Sequence, residues 1–581
     1  MEESANHHGW REEGKTLAKL ALPTIVMTAS QQAMVFTDQV MIGHLGTEQM
    51  AAAALGNMYS AILQYFLFGT ATALDTLGAT AYGAQRKGLP GTSLVTWCYT
   101  SFVVLTVLSV PASVGLLNAW PIAKLLRQDD HISELMSEFC AGLVPGVGPM
   151  MWSIVLIKYL QVQNVVISPA FGTLATFFMN IGLNFGFIAA FGFRGAPMAT
   201  SFSRIIQFIF MSILVACFQR TKGTQRTGVL ALLFSDADSE EDVSAEGQVV
   251  HHHNFANGHH HNFANHATDQ KSNSQGDQGA GQGTSGVAGG SPQGLDTSGR
   301  QSGVLAAVRL FGWNIVKGSQ PSLLWAYLKL GIPGGVMMSC EQVSFDITTS
   351  MAGQLGAAVV AAHSAFLNII GLTFVSCPFA VGIAGSIRVG NLLGSGQPYI
   401  ARMSAWLCVA VGGMFMAFFA FIILVARDYV GFVFTNERAV VSVMASIAPL
   451  AALFQVSDGV MGTAQGVLRG CGKQTILMVY NFVGFWLCGV LLGALLCFQA
   501  GMGVIGLWWG IASGDTVTGI LNIATLYRVD WPEESKKAQQ TLAQAVEQNQ
   551  GDPDAQEETD ALIPGRGREP RSAGKQEMVR V

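Results

Sequence analysis

Charge is what this sequence has least of. Only 12% of its 581 residues are Asp, Glu, Lys or Arg, about half the roughly 25% of an ordinary soluble domain. That excludes a large soluble core. No basic patch interleaved with aromatics is present, so nucleic acid is not an expected partner. The start, MEESANHHGWREEGK, is acidic and polar and lacks the form of a cleavable signal peptide. The first hydrophobic helix is expected to serve as the insertion signal. No Asn-x-Ser/Thr sequon occurs. The nine cysteines (98, 140, 217, 340, 377, 408, 471, 488 and 497) show no zinc spacing and sit in no long loop. They read as small apolar core residues.

What remains is 50% hydrophobic and rich in Gly and Ala. A transmembrane helix needs about 20 mostly apolar residues, and in lipid every backbone group must be satisfied internally. Twelve such stretches can be drawn: 16–43, 49–79, 92–118, 133–160, 168–191 and 195–219, then 323–352, 357–386, 401–426, 439–468, 474–498 and 503–528. The fold class is an all-α polytopic membrane protein of two six-helix bundles. Its parts are an N-terminal segment 1–15, an N-lobe 16–219, a linker 220–322, a C-lobe 323–528 and a tail 529–581. The linker and the tail read as disordered and cytoplasmic.

Lys and Arg set the orientation. With the N-terminus inside, the inner connections carry Arg86, Lys87, Lys158, Arg220, Lys222, Arg226, Arg388, Arg402, Arg469 and Lys473. The outer ones carry Lys124, Arg127, Arg194, Arg427 and Arg438. Both termini are then cytoplasmic. The linker contains HHHNFANGHHHNFANH, a unit repeated at eight residues. It reads as a repeat expansion in a solvated loop or as a weak site for zinc, copper or nickel.

The two halves are related. Shifting the chain by 310 residues lays 19–52 on 329–362 with twelve identities and no gap, Pro23 on Pro333, Gln32 on Gln342 and Gly46 on Gly356 among them. Six spans separate the segments, so they share one orientation. The repeat is parallel, with its axis along the membrane normal. Two such bundles can rock about a central cavity.

Acids inside the spans carry the chemistry. An ionised Asp at the bilayer centre costs about 2.5–3.5 kcal/mol on insertion scales. Such a group must face a cavity, find a partner or keep its proton. Scarce water favours the neutral carboxyl and a nearby cation favours the charged one, so it can trade a proton for a cation. The candidates are Asp38, Asp75, Glu341, Asp346, Asp458 and Asp515. Glu341 and Asp346, five residues apart, point about 140° away from each other. Asp38 maps onto Thr348, seven residues past Glu341, so Asp38 and Glu341 are expected on equivalent faces toward the cleft. Asp458 precedes Arg469 by 11 residues, about 16 Å, which places it at mid-membrane depth if Arg469 marks the inner edge. For each acid the plain alternative is a satisfied partner in helix packing. That alternative is favoured for Asp515, and Asp75 is expected to link its span to the loop carrying Arg86.

Asn180 and Asn184 lie four apart on one face, suited to binding a carboxylate or to joining helices. Gln31, Gln32, Tyr65 and Phe345 are candidates for lining a cleft that takes an aromatic cation, or for packing. His44 and His363 lie near span ends as weaker proton-relay candidates. GCGKQT at 470–475 imitates the end of a P-loop, but Val467 stands where its first Gly belongs and Gln474 follows the Lys. ATP binding is therefore not expected, and an ion gradient is the expected energy source.

ALDTLGATAYGA at 73–84, VGNLLGSGQP at 389–398 after Arg388, GVLRGCGKQ at 466–474 and MIGHLG at 41–46 together resemble the multidrug and toxic compound extrusion (MATE) family, in its eukaryotic form. The resemblance spans roughly 16–219 and 323–528. It implies twelve helices in two lobes and export of organic solutes against protons or sodium. It also implies that Glu341 is the seventh-helix coupling glutamate, that Asp346 takes the place of a second acid, and that Asp458 is the tenth-helix acid. Asp38 would be the first-helix aspartate better known in bacterial members, and Asn180 and Asn184 the N-lobe asparagines. Carrying both Asp38 and Glu341 mixes two family patterns, and Asp515 has no counterpart in them.

The expected protein is a monomeric, non-enzymatic antiporter in the lipid bilayer of the plasma membrane or a vacuolar or other endomembrane. It needs no cofactor, couples to H+ with Na+ as the alternative, and exports small organic cations. Glu341, Asp458, Asp346 and Asp38 bind proton or substrate, with Asn180, Asn184 and Gln31 in support. The alternatives are an organic-anion exporter (citrate or a phenolic conjugate), a lipid-linked sugar flippase and a metal sensor reading the His tract.

Overall fold

The computed structural model describes residues 2–89, 92–125, 129–221 and 315–550, and every regular element among them is helical. The N-lobe contains α1 (Glu2–Gly43), α2 (Thr47–Ala71), α3 (Ala73–Gln85), α4 (Leu94–Leu117), the short α5 (Ala119–Leu125), α6 (Asp130–Val162), α7 (Ile167–Phe191) and α8 (Gly195–Thr221). The C-lobe contains α9 (Pro321–Gln354), α10 (Ala357–Ser376), α11 (Pro378–Gly394), α12 (Pro398–Val425), α13 (Arg438–Gly470), α14 (Gln474–Gln499) and α15 (Gly503–Tyr527). A further helix, α16 (Trp531–Gln550), follows.

Among the described residues ten stretches are long and apolar enough to cross a membrane. One of them, Ile167–Cys217, contains both α7 and α8, joined by a 3-10 turn at Gly192–Arg194. Helix α1 lies outside the ten, since its apolar second half is interrupted by Gln31 and Gln32. Counting both gives the twelve helical runs that hydropathy predicts, with ends within a few residues except at the start of α1 and at Gln85 and Gly394, which lie six and eight residues beyond the expected ends. The chain is a multi-pass membrane protein.

Two spans are broken midway. Between α2 and α3, Thr72 donates its hydroxyl to the Gly69 carbonyl at 2.6 Å. Between α10 and α11 the break falls at Cys377, ahead of Pro378. A proline lacks the N–H that would continue the ladder and is suited to a first helical position.

Helix α14 is wide-turned over Phe482–Leu491 and Leu495–Gln499, where its hydrogen bonds skip five residues. The reason lies in its glycines. Gly484 and Gly489 are five residues apart, so a wide turn brings both onto the face that packs against Gly510 and Gly514 of α15. A Cβ on Gly484 would stand 2.6 Å from the Gly514 carbonyl oxygen.

The lobes meet where α2 crosses α9 and where α3 packs on α11. Both crossings are backbone-tight. A Cβ on Gly69 would collide with the Gly334 carbonyl, and one on Gly83 or Gly394 with the opposite helix backbone. Thr76 donates to the Arg469 carbonyl at 2.6 Å, Asn391 to the Val162 carbonyl at 3.1 Å, and Arg388 grips Glu13 through two bonds of 2.7 and 2.8 Å. This end also carries Arg86 and Lys87, which line a small polar recess with Arg388.

Several expectations need correction. The tail is not irregular from 529 on: α16 docks beside the lobe junction, with Trp531 buried, Ser535 donating to the Leu393 carbonyl at 2.8 Å and Glu534 paired with Lys473 at 2.7 Å. Its apolar residues are spaced for one helical face, which dispersed charge conceals. The N-terminal segment is helical from Glu2, because it continues α1. Lys158 is not in a connection but inside α6, buried, with both oxygens of Asp75 as partners. Asp75 is therefore structural, as expected, but through Lys158 rather than the Arg86 loop. Arg469 closes α13 yet is buried, because the lobe junction covers it. The His-rich repeat and the rest of 222–314 lie outside the described residues.

Candidate functional site

One cavity of about 600 Å³ opens between the lobes. Its N-lobe wall comes from α1, α2, α6, α7 and α8, and its C-lobe wall from α9, α10 and the start of α11. The lining residues of α2 end at Phe68, one position short of the Gly69–Gly334 crossing, and those of α9 begin at Gln342 beyond it. The cavity is therefore shut at the end that carries Arg86, Lys87 and Arg388.

On the N-lobe wall Asp38 is 7% exposed. Its Oδ1 accepts from Asn184 Nδ2 at 2.6 Å and its Oδ2 from Thr200 Oγ1 at 2.7 Å. Asn180 donates to Ser203 Oγ at 3.2 Å. Asn184 holds the carboxylate directly, and Asn180 interacts with it as well while joining α7 to α8 through Ser203. Beside them Arg204 Nη2 donates to Gln64 Oε1 at 2.8 Å. Gln31, Gln32 and Tyr65 line the cavity as expected.

On the C-lobe wall the lining acid is Asp346, with Oδ1 accepting from Gln342 Nε2 at 3.0 Å and Oδ2 buried without a partner. Glu341 is not on that wall, which corrects the expectation that it shares the cleft with Asp38. The roughly 140° between residues five apart decides this: with Asp346 facing the cavity, Glu341 turns into the lobe. There its Oε2 accepts from Asn481 Nδ2 at 3.3 Å, and Asn481 Oδ1 accepts from Gln465 Nε2 at 2.9 Å. Asp458 is buried in the same lobe, and it interacts electrostatically with Asp515 and Glu341. Asp515 is wholly buried beside Ser457 of α13, inside the same lobe and off the cavity lining.

Phe345 is also off the wall. It packs edge-on against Phe454 and Phe485, at 6.1 and 5.8 Å between centroids. His363 is buried, with Nε2 3.2 Å from Thr349 Oγ1 and its ring against Trp508. His44 lies in the turn after α1, off the lining. Sequence reasoning missed Asn481, Gln465, Thr200 and Gln64. Asn481 carried a usable signal, being an amide followed by the apolar run FVGFWL, as Asn180 is preceded by one. Among the described residues no group of three His, Cys, Asp or Glu is placed to hold a metal ion.

Two acid-bearing lobes face one cavity that is shut at one end, and the sequence repeat relates them at a 310-residue offset. The MatE family model matches twice, over residues 23–185 and 333–495, which is the same offset. The chain belongs to the MatE family. It is 24% identical over 534 residues to Protein DETOXIFICATION 38 of Arabidopsis thaliana, covering 91% of this chain and 88% of the relative. It is 23% identical over 536 residues to Multidrug and toxin extrusion protein 1 of Homo sapiens, covering 91% and 77%. Among solved structures, that of the eukaryotic MATE transporter AtDTX14 superposes with a TM-score of 0.69 at 22% identity, covering 92% of this chain and all of the other. As a MatE protein the chain is a transporter of the multidrug and toxin extrusion type, with the two-lobe fold.

Proposed function

We propose that this transporter is a proton-coupled antiporter that exports organic cations by alternating access. One observation carries the proposal. Asp346 lines the cavity and leaves its buried Oδ2 without a partner, while Glu341, five residues back on the same helix, accepts from Asn481 and interacts electrostatically with Asp458 and Asp515. One helix thus joins a substrate-facing acid to a buried acid cluster. A carboxyl that releases a proton gains the charge that attracts a cation, and one that regains it lets the cation go. Rocking of α9 against α2 would expose the two sites in turn.

The basic end, with Arg86, Lys87 and Arg388, fits a cytoplasmic face by the positive-inside rule. The structure then corresponds to the outward-facing state, and both termini lie in the cytoplasm. H+ is the coupling ion in this reading and no cofactor takes part. The protein works as a monomer in the plasma membrane or an endomembrane. A potential of 100 mV drives each net charge with about 2.3 kcal/mol. The flippase alternative loses support, since among the described residues Arg204 is the single Lys or Arg that lines the cavity. Arg204 itself favours a second reading, in which the substrate carries an anionic group.

The test is flux of a permanent organic cation into proteoliposomes under an imposed pH gradient, with Na+ replaced by choline in a parallel arm. Flux that follows the pH gradient and ignores Na+ supports the reading. Flux that requires Na+ overturns proton coupling, and wild-type rates in Glu341→Gln remove that residue from the coupling path.

A further inference from the structure

A second recess, of about 340 Å³, lies at the shut end of the molecule, between α3 and the α6–α7 connection of one lobe and α11 of the other. Arg86, Lys87 and Arg388 line it, and among the described residues no Asp or Glu does. Arg86 and Lys87 are exposed and form no ion pair among the described residues. Arg388 gives Nε and Nη2 to Glu13, which answers one of the three positive charges. The same walls carry idle acceptors. Asn391 is 7% exposed, and its Nδ2 is fixed on the Val162 carbonyl, so Oδ1 is left buried without a partner. Across the junction Asn164 Oδ1 is likewise buried and unpartnered. Three helix ends beside the recess close with one kind of turn, in which an N–H reaches back five residues: Leu89 to the Ala84 carbonyl, Gln397 to Leu392 and Val165 to Leu160. The residue before each has a left-handed φ, Gly88 at 66°, Gly396 at 74° and Asn164 at 63°. That conformation strains every residue but glycine. Among the described residues Asn164 is the one non-glycine that adopts it. The recess thus keeps an amide where a glycine would end the helix with less strain.

We propose that this recess binds a phosphomonoester with neighbouring hydroxyls, the chemistry of a phosphorylated polyol, and that the bound group clasps the two lobes together at this end. A phosphomonoester carries about −1.5 to −2 charges at neutral pH and three strong acceptor oxygens. Those answer Arg86, Lys87 and Arg388, for which phosphate is a well-matched partner. The hydroxyls beside it donate to Asn164 and Asn391. Inorganic phosphate leaves both amide oxygens idle, a neutral polyol leaves the cations unanswered, and a metal ion is repelled. Arg86, Lys87 and Asn164 belong to the N-lobe, and Arg388 and Asn391 to the C-lobe. The full set of partners therefore exists only while α3 and α11 touch. A ligand that binds one state of an equilibrium draws the population toward it. Here that state has the central cavity shut at the basic end. A phosphoinositide headgroup and a soluble sugar phosphate share the required chemistry.

The inference depends on neither the cargo nor the coupling ion, and its test uses neither. Inositol monophosphate, inorganic phosphate and inositol are titrated calorimetrically against the purified full chain. Inositol monophosphate should bind at least tenfold tighter than inorganic phosphate, and inositol should not bind. Arg86→Gln combined with Lys87→Gln should weaken inositol monophosphate at least tenfold. Asn164→Gly keeps the turn and removes the amide, and it should cut the preference over inorganic phosphate at least threefold. In hydrogen–deuterium exchange, inositol monophosphate should protect 84–89 and 393–397 together, since it holds both lobes. Protection of one segment alone overturns the clasp. Inorganic phosphate that binds wild-type protein as tightly as inositol monophosphate overturns the proposal, even if no variant folds. So does failure of inositol monophosphate to bind, or a preference untouched by Asn164→Gly. Nanodiscs of phosphatidylcholine, with and without phosphatidylinositol phosphate, distinguish the sources. Loss of inositol monophosphate binding when the phosphoinositide is present supports a lipid headgroup in the recess, and binding unchanged by it supports a soluble ligand.

Discussion

Lys158 Nζ lies 2.7 and 2.6 Å from the two carboxylate oxygens of Asp75, and both side chains are sealed from solvent, at 3% and 0% exposure. Neither residue lines the cavity. The pair ties α3 to α6 inside the N-lobe, with Lys158 also over the ring of Phe68, 5.4 Å from its centroid. Removing one member strands a buried charge, at a cost of about 3–5 kcal/mol. Asp75→Ala should lower the thermal unfolding midpoint of the purified protein by several degrees. Asp75→Asn combined with Lys158→Met should recover most of the loss. A midpoint unchanged in Asp75→Ala would show that the pair is dispensable.

The shut end of the cavity depends on backbone contact between α3 and α11. Gly83→Val places branched carbon where the Asn391 carbonyl sits. The lobes must then part at that end, and the population should move toward the opposite-facing state. Alkylation of a cysteine introduced at Ser395, in the adjoining recess, reads this. Labelling from the basic side should rise severalfold in Gly83→Val. Equal labelling in both backgrounds would mean that the glycine does not set the closure.

Asp38 is held by two neutral donors. Hydrogen bonds to a charged group contribute about 1.5–3 kcal/mol each. Asn184→Ala and Asp38→Asn should therefore be strongly non-additive in substrate affinity, with a coupling of about 1–3 kcal/mol in a double-mutant cycle. Additive effects would separate the two residues functionally.

Asn481 is the partner that fixes Glu341. Asn481→Leu should cut flux driven by a pH gradient at least tenfold while substrate counterflow persists, and Glu341→Gln should behave alike. Loss of counterflow in Asn481→Leu to the same extent as gradient-driven flux would assign Asn481 to folding or to the substrate path.

Much of this architecture was legible in the sequence. The spans are written as apolar runs, because lipid leaves the backbone no other solution. The 310-residue repeat encodes the two lobes. The break at Cys377 was readable from Pro378, while the one at Thr72 was not, since a threonine bonding back to a carbonyl leaves no distinctive pattern. In the site, the 140° rule separated Glu341 from Asp346 but could not say which of them meets the cavity. That depends on how α9 is rotated against α2, which the Gly69–Gly334 crossing settles. The pairing of Asp75 with Lys158 was hidden for a related reason. A lysine neutralised inside a helix bundle looks the same in a sequence as one that marks the membrane edge.

The wide turns of α14 carry one residue more than an ordinary helix of the same pitch would accept. Asn481 stands immediately ahead of them, so the direction in which it looks is set by that surplus. Excising a single residue from 485–488 would swing Asn481 by about a third of a revolution relative to the glycine seam behind it. The aim of the Glu341 contact is thereby governed by a length of chain, in a stretch whose Trp486 also donates to the Cys340 carbonyl of α9 at 3.2 Å.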